Sequence, residues 1–333
     1  MLALMLLAGD IGGTKTILAL FEEDGRGAPA AEETYKSREH ESFDGIVESF
    51  RAKHRPRVKS ACVGVAGPVK NGRCEATNLP WIVDERELAR DLGIGSALVL
   101  NDLVAYAHGI AALRPEDLLV LNEGAPGAAG NRAVIAAGTG LGEAGLFWDG
   151  AAHHPFASEG GHTDFAPRNP LEMDLLRFLL KEHERVSWER LVSGMGLVNL
   201  YRFLRDEGPL EEPAWLAEAM RAGDPGAVIG QHARDGRSPL CARTLALFMA
   251  LYGAEAGDLA LKVMATGGVY LGGGIAPKNL EALQEGAFLE RFFSKGRMRP
   301  LLEAMPVRVI LNEKTGLLGA AQGALRQAAV AIR

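Results

Sequence analysis

Three short stretches of this chain combine glycine with groups that can hold a phosphate. In the first, "GDIGGTKT" (9–16), Asp10 precedes Gly12, Gly13, Thr14 and Lys15. It nearly matches Gly-x-x-x-x-Gly-Lys-Ser/Thr, but Thr14 stands where that pattern needs its second glycine. A P-loop must also open into a helix, whereas the apolar run "TILALF" stops at "EEDGRG", a length ordinary for a strand. The stretch therefore reads as strand, glycine turn, strand. The N–H groups of such a turn can reach phosphate oxygens because no Cβ blocks the approach. Asp10 would repel phosphate directly, so its natural partner is magnesium, reached through water. The second stretch, "RAVIAAGTGLGEAGLFWDG" (132–150), repeats the layout and offers Gly138, Thr139, Gly140 and Gly142. The third, "GGVYLGGGIAP", closes a strand on Gly273 and Gly274. A single glycine turn is more often just a tight hairpin. Three of them, each ending a strand, point to a nucleotide.

A second group of residues is polar. "LVLNDLVAYA" places Asn101 and Asp102 at the end of an apolar strand, where α/β sheets present reactive groups. The competing reading makes Asp102 a simple helix cap. "FASEGGHTDF" offers Glu159 and His162 around two glycines, and "SWERLVSG" offers Glu189. Glu159 and His162 lack a third ligand at metal-site spacing. They suit the hydroxyls of a polyhydroxylated molecule at least as well.

The elements that must carry these groups alternate in type. Strands are expected at 2–9, 15–22, 30–36, 58–65 and 96–101, and helices at 42–54 and 84–92, the latter starting at Asp84 and stopping at Gly93. Asn71-Gly72 signals a tight hairpin. Strands interleaved with helices imply an α/β layer. Setting Thr14 on Thr139 aligns the two hairpins and hints at a duplicated domain. From about 170 to 265 the spacing is helical. A strand through "GGVYLG", a helix over "KNLEALQEGAFLERFF", a strand at "VRVILNE" and a closing helix at "GLLGAAQGALRQAAV" complete the chain.

At 333 residues two domains are expected. A net charge of −6 without a run of Lys and Arg argues against a nucleic-acid surface. "MLALMLLAG" lacks a basic leader and is too short to span a bilayer, so no membrane association is expected. Cys62, Cys74 and Cys241 are odd in number and dispersed, which favours reduced thiols in the cytoplasm and no zinc site.

Taken together, these residues resemble the bacterial glucokinases of the hexokinase-type group, in the superfamily that includes actin and the sugar kinases. "GDIGGTKT" is similar to that family's first phosphate motif, "AAGTGLGEAGL" to the second, and "GGVYLGGGIAPK" to its adenosine motif. "GVAGPVKNGRCEATNLPWIVD" and "ERLVSGMGLVNLYRFL" match family segments too, so the likeness spans essentially the whole chain.

The resemblance implies a two-domain actin-like (ribonuclease H-like) α/β fold with an interdomain cleft. The small domain would be 1–110 plus 313–333, and the large domain 111–312 with a helical insertion. It implies ATP-dependent phosphorylation of glucose at the 6-hydroxyl, the entry to glycolysis, with ATP and Mg2+ as cofactors. Asp102 corresponds to the catalytic base, and Asn78, Asn101, Asp102, Glu159, His162 and Glu189 to the sugar contacts. The nucleotide would be held by Asp10, Gly12, Gly13, Thr14, Lys15, Gly138, Thr139, Gly140, Gly273 and Gly274, with Asp10 toward magnesium. A cytoplasmic homodimer is implied as well. The related repressor-and-kinase group adds a cysteine-rich zinc motif that is missing here, and no helix-turn-helix segment precedes residue 8. Two alternatives stay open: a kinase for another hexose or an amino sugar, and a non-catalytic nucleotide-dependent binding protein on the same fold.

Overall fold

Alternate residues of the first strand, β1 (Met5–Ile11), are buried in different apolar clusters. Leu6 and Ala8 pack with Cys62, Leu317, Ala320 and Ala324. Leu7 and Ile11 pack with Phe43, Ile46, Phe50 and Val63. A strand covered on both faces belongs inside a sheet. β1 pairs antiparallel with β2 (Lys15–Phe21), which pairs with β3 (Ala31–Lys36), and parallel with β4 (Val58–Val65). The short strands β5 (Val69–Lys70), β6 (Arg73–Glu75) and β7 (Ile82–Asp84) form a separate sheet. Its first turn is Asn71-Gly72, with φ of 53° and 73°, the paired left-handed residues that this dipeptide favours. β8 (Ala97–Asn101) completes the main sheet in the order β3-β2-β1-β4-β8.

The computed structural model describes residues 4–22 and 27–330. Of the expected first strand, residues 2 and 3 lie outside them. The chain divides into one unit comprising the residues up to Asp117, Pro155–Ala157 and Asn312 onward, and a second comprising Leu118–His154 and Ser158–Leu311. In the first unit, α1 (Phe43–His54) and α2 (Glu85–Leu92) cover one sheet face, and the closing helix (Thr315–Val330) covers the other. α2 starts on Asp84, whose side chain accepts from the Arg86 and Glu87 N–H groups, and stops at left-handed Gly93. α3 (Asp102–Gly109) follows β8 directly.

The second sheet, whose strands lie in the second unit except for Pro155–Ala157 of β12, comprises β9 (Leu118–Asn122), β10 (Arg132–Ala137), β11 (Leu141–Trp148), β12 (His153–Ser158), β13 (Gly268–Gly272) and β14 (Val307–Ile310), in the order β12-β11-β10-β13-β14-β9. Its first five strands repeat the plan of the other sheet: a hairpin, then two strands added in parallel. The echo between Thr14 and Thr139 is therefore structural. The helices are α4 (Pro170–Leu179), α5 (Gly194–Asp206), α6 (Ala214–Ala222), α7 (Pro225–Arg234), α8 (Pro239–Val263), α9 (Leu280–Gln284), α10 (Ala287–Phe293) and α11 (Arg299–Glu303). α8 is long and apolar enough to cross a membrane, but most of it is buried inside the protein. The Tyr252 hydroxyl on it donates to the Ile135 carbonyl of β10.

One expectation needs correcting, and two strands were not expected. The helix read over 278–293 is broken into a 3-10 turn, α9 and α10, because Gly286 sits at φ 101° and cannot continue a right-handed helix. The strands β9 and β12, at the two edges of the second sheet, were not among the expected elements: β9 is the short apolar run "LLVLN", whereas β12 reads "HHPFAS", mostly polar or small and with a proline.

Candidate active site

The turn between β1 and β2 is tied from inside. The Gly12 N–H donates to the Lys15 carbonyl at 3.0 Å. Ser37 braces the other side, its hydroxyl donating to the Gly12 carbonyl (2.7 Å) and its N–H to the Thr14 carbonyl (3.0 Å). Gly12 thus serves the turn itself rather than offering its N–H to a ligand. Gly13 and Thr14 donate to no acceptor among the described residues, so their N–H groups are the ones available to an anion. Gly13 also lies against the loop that carries Asn78: a Cβ there would lie 2.9 Å from the Asn78 Cβ. That loop is anchored by buried Trp81, whose indole N–H donates to the His40 carbonyl, and Asn78 itself is exposed.

Asp10 lies near the end of β1, against the first turn of the closing helix. A Cβ on Gly316 would sit 3.4 Å from its Oδ2. Burial pushes the Asp10 carboxyl above its ordinary range, and Lys15 pulls it partway back. A confined carboxylate of this kind gains from a cation. Among the described residues no cluster of three or more His, Cys, Asp and Glu could hold a metal. One carboxylate fits magnesium, which keeps most of its waters and takes substrate phosphate oxygens. The three cysteines are buried free thiols.

At the end of β8 the work is divided between neighbours. Asn101 is the cap of α3: its Oδ1 accepts from the Leu103 and Val104 N–H groups at 3.0 and 3.3 Å. Its Nδ2 donates to the Gly67 carbonyl. Asp102 is the first residue of α3 and accepts from Leu103 through Oδ1 at 2.9 Å. Gly64 of β4 lets α3 lie close, since a Cβ there would meet the Ala105 Cβ at 2.8 Å.

The second hairpin is braced differently. The Gly138 N–H donates to the Gly140 carbonyl, and the Gly194 N–H at the start of α5 donates to the Gly138 carbonyl. Gly142 lies in the β11 ladder, paired with Ala136, and not in the turn. Glu189 adds a side-chain hold, its Oε2 accepting from the Leu141 N–H at 2.9 Å. A Cβ on Gly140 would collide with that carboxylate. The Gly272–Gly274 segment adjoins the same turn, with the Ile275 N–H donating to the Ala137 carbonyl. The two glycine clusters of this unit are thus side by side.

Glu159, His162 and Glu189 are brought together. The His162 Nε2 is 3.9 Å from a Glu159 oxygen and its Nδ1 is 3.8 Å from Glu189 Oε1. The Trp188 N–H donates to the Thr163 carbonyl, and buried Trp188 packs edge-on against Phe165, stitching the two loops together. Arg185 ties down the His162 carbonyl. The glycines between Glu159 and His162 are steric necessities: Gly161 lies on the Leu141 backbone, and Gly160 on the carboxylate of Glu143. Glu143 is itself buried beside Glu255 of α8, a pair that no motif signalled.

These features agree with comparisons to known proteins. Residues 7–327 match the glucokinase family model. A glucokinase of Nostoc punctiforme is 46% identical, over 97% of this chain and 99% of its own length. One from Synechocystis is 42% identical, over 95% and 96%. The crystal structure of a glucokinase from an Antarctic psychrotroph superposes with a TM-score of 0.83 at 31% identity, covering 97% of this chain and 99% of that one.

Proposed function

The chain belongs to the glucokinase family, with the actin-like sugar-kinase fold, and is an enzyme that phosphorylates glucose; from that premise we propose how its residues divide the reaction. ATP is the phosphoryl donor. The Gly13 and Thr14 amides and Lys15 receive phosphate oxygens from one hairpin, and Thr139 with its flanking glycines, Gly138 and Gly140, from the other. Gly273 and Gly274 border the adenosine. Asp10 orients a hydrated magnesium ion, which when bound neutralises charge on the phosphates.

Glucose is gripped through its hydroxyls by Asn78, Asn101, Glu159, His162 and Glu189. Carboxylates and amides suit vicinal hydroxyls because they accept, or accept and donate, at several angles. The second Glu189 oxygen serves the sugar while the first holds the hairpin at Leu141. Asp102 takes the proton of the 6-hydroxyl as that oxygen attacks the γ-phosphorus, and the product is glucose 6-phosphate. Phosphoryl transfer depends mainly on such positioning and charge placement.

The observation that carries this reading is the division between Asn101 and Asp102. Asn101 supplies the cap oxygen, so Asp102 is not required for capping. A coupled assay of glucose-dependent ADP release, with mannose, fructose and N-acetylglucosamine in parallel, tests it. Turnover highest with glucose supports the assignment. Turnover highest with another sugar moves the preference, and turnover indifferent to any sugar overturns the site. Buried free thiols at all three cysteines support a cytoplasmic setting, and the family likeness supports a homodimer, which light scattering would measure.

A further inference from the structure

The sheet of the second unit carries a cluster of positive charge, away from its glycine turns. Arg132 begins β10, Tyr270 lies in β13 and Arg308 in β14. The register pairs Val134 with Tyr270 and Tyr270 with Arg308, so all three side chains leave the same face of adjacent strands. The guanidinium carbons lie 5.6 and 6.0 Å from the centre of the Tyr270 ring. Among the described residues neither arginine forms an ion pair, and the buried Nε of Arg132 has no acceptor. Both border a cavity of about 490 Å3.

Two guanidinium groups held near one ring repel each other, and an unmet donor adds a cost of desolvation. A dianion relieves both, because its oxygens match the planar forks of arginine. We propose that this cavity is a binding site for a small phosphate-bearing molecule, separate from the site of phosphoryl transfer. The arginines stand on strands rather than loops, so they are placed before the ligand arrives. A glycine neighbour leaves room for one of them: a Cβ on Gly268 would lie 3.4 Å from an Arg308 nitrogen. The rim, at Gly124 to Gly127, is fastened by the Ala125 N–H to the Ala304 carbonyl and by Asn122 to the carbonyls of Glu303 and Met305. Glu123 is the one acid at the rim. Its carboxylate accepts hydroxyl hydrogens and discourages ligands that surround it with negative charge, favouring a phosphomonoester with hydroxyls over a polyanion.

The site is remote from the second hairpin. Arg132 and Gly138 are at opposite ends of β10, roughly 20 Å apart at about 3.3 Å per residue. Thermal unfolding in the presence of saturating glucose and a non-hydrolysable ATP analogue tests the proposal with the catalytic subsites filled. Inorganic phosphate and glucose 6-phosphate would be titrated at constant ionic strength against wild type, Arg132→Gln and Arg308→Gln. Expected is a saturable rise in Tm with wild type, stronger for the sugar phosphate, and at least a tenfold weaker midpoint in both variants. The variants should keep wild-type kcat without added phosphate, which shows that they fold. Equal titrations in all three proteins, or no saturable rise in wild type, would overturn the site. A response to inorganic phosphate equal to that to the sugar phosphate would overturn the ligand class proposed from Glu123.

Discussion

The two hairpins are built on one plan and used for different purposes. Each connects the central strand of its sheet to an antiparallel neighbour. With Thr14 set on Thr139, Asp10 corresponds to Ile135, and Gly13 to Gly138. Ile135 is fully buried and packs in the large apolar cluster, whereas Asp10 keeps a carboxylate beside the closing helix. The first sheet also ends β8 on Asn101 and Asp102, so its unit carries the proposed metal ligand and base. The second unit carries Glu159, His162 and Glu189, the residues proposed to hold and orient the sugar. The same strand order therefore sets where loops meet, and the few side chains at strand ends set the chemistry.

The largest expected effect is at Asp102. Asp102→Asn keeps the shape, and the cap of α3 stays with Asn101, so the fold should survive. What is lost is the proposed acceptor for the 6-hydroxyl proton. General-base catalysis contributes about 100- to 10,000-fold, and a fall of that size is expected in kcat with little change in the glucose Kd. Near-normal turnover would remove the base from this unit and erase the contrast between the two.

Next in size is Asp10→Asn. Loss of a group that orients metal-bound water costs about 10- to 100-fold in metal affinity. The magnesium concentration giving half-maximal activity should rise by that factor, while glucose binding measured without nucleotide stays unchanged. An unchanged magnesium profile would show that the carboxylate difference between the hairpins is not about metal.

Much of this arrangement was legible because its signals are local. Glycine turns, the Asn71-Gly72 hairpin, and the Asp84 and Gly93 ends of α2 are each fixed by backbone preferences of a few adjacent residues. What was not legible depends on residues far apart in sequence. Ser37 bracing Gly12, Gly316 facing Asp10, and Glu189 holding Leu141 join positions tens to hundreds of residues apart. A sugar role for Glu189 was suggested only by resemblance and remains a proposal, and its hold on the hairpin was visible only in the tertiary structure. Whether Asp102 was a cap or a chemical group turned on side-chain geometry that either asparagine or aspartate satisfies. The break at Gly286 shows the opposite error, where apolar spacing concealed a local stop.

A smaller effect separates the two equivalent glycines. A methyl at Gly13 must displace Asn78, 2.9 Å away, whereas at Gly138 the nearest atom is the Gly274 nitrogen at 4.0 Å. Gly13→Ala should raise KM for both glucose and ATP, each by roughly fivefold, about 1 kcal/mol. Gly138→Ala should raise KM for ATP alone. Steady-state kinetics with each substrate varied would show it, and identical profiles would mean that the contact between the first turn and the Asn78 loop does not bear on sugar binding.

The smallest effect concerns what lies beneath the loop after β12 that carries Gly160. Glu143 on β11 and Glu255 on α8 are both buried, and Glu143 lies directly under Gly160. Burial first, and then the charge of Glu143, push the Glu255 carboxyl up to about 9, and burial raises Glu143 as well. Lys262, 3.4 Å from Glu255, opposes this weakly because it is half exposed to water. In the unfolded chain these carboxyls titrate near 4.5. Between that pH and about 9 the folded protein therefore holds a proton that the unfolded chain has released. By linkage, the contribution is full below about 4.5 and is lost as pH rises through the folded value. Glu255→Gln keeps a hydrogen-bond donor toward Glu143 and cannot ionise. Its Tm relative to wild type should therefore climb between pH 6 and pH 9, by a few degrees, with the glucose KM of wild type rising over the same range as the loop above Glu143 loosens. A gap in Tm that stays constant with pH would mean that the pair does not share a proton, and that the sugar loop rests on packing alone.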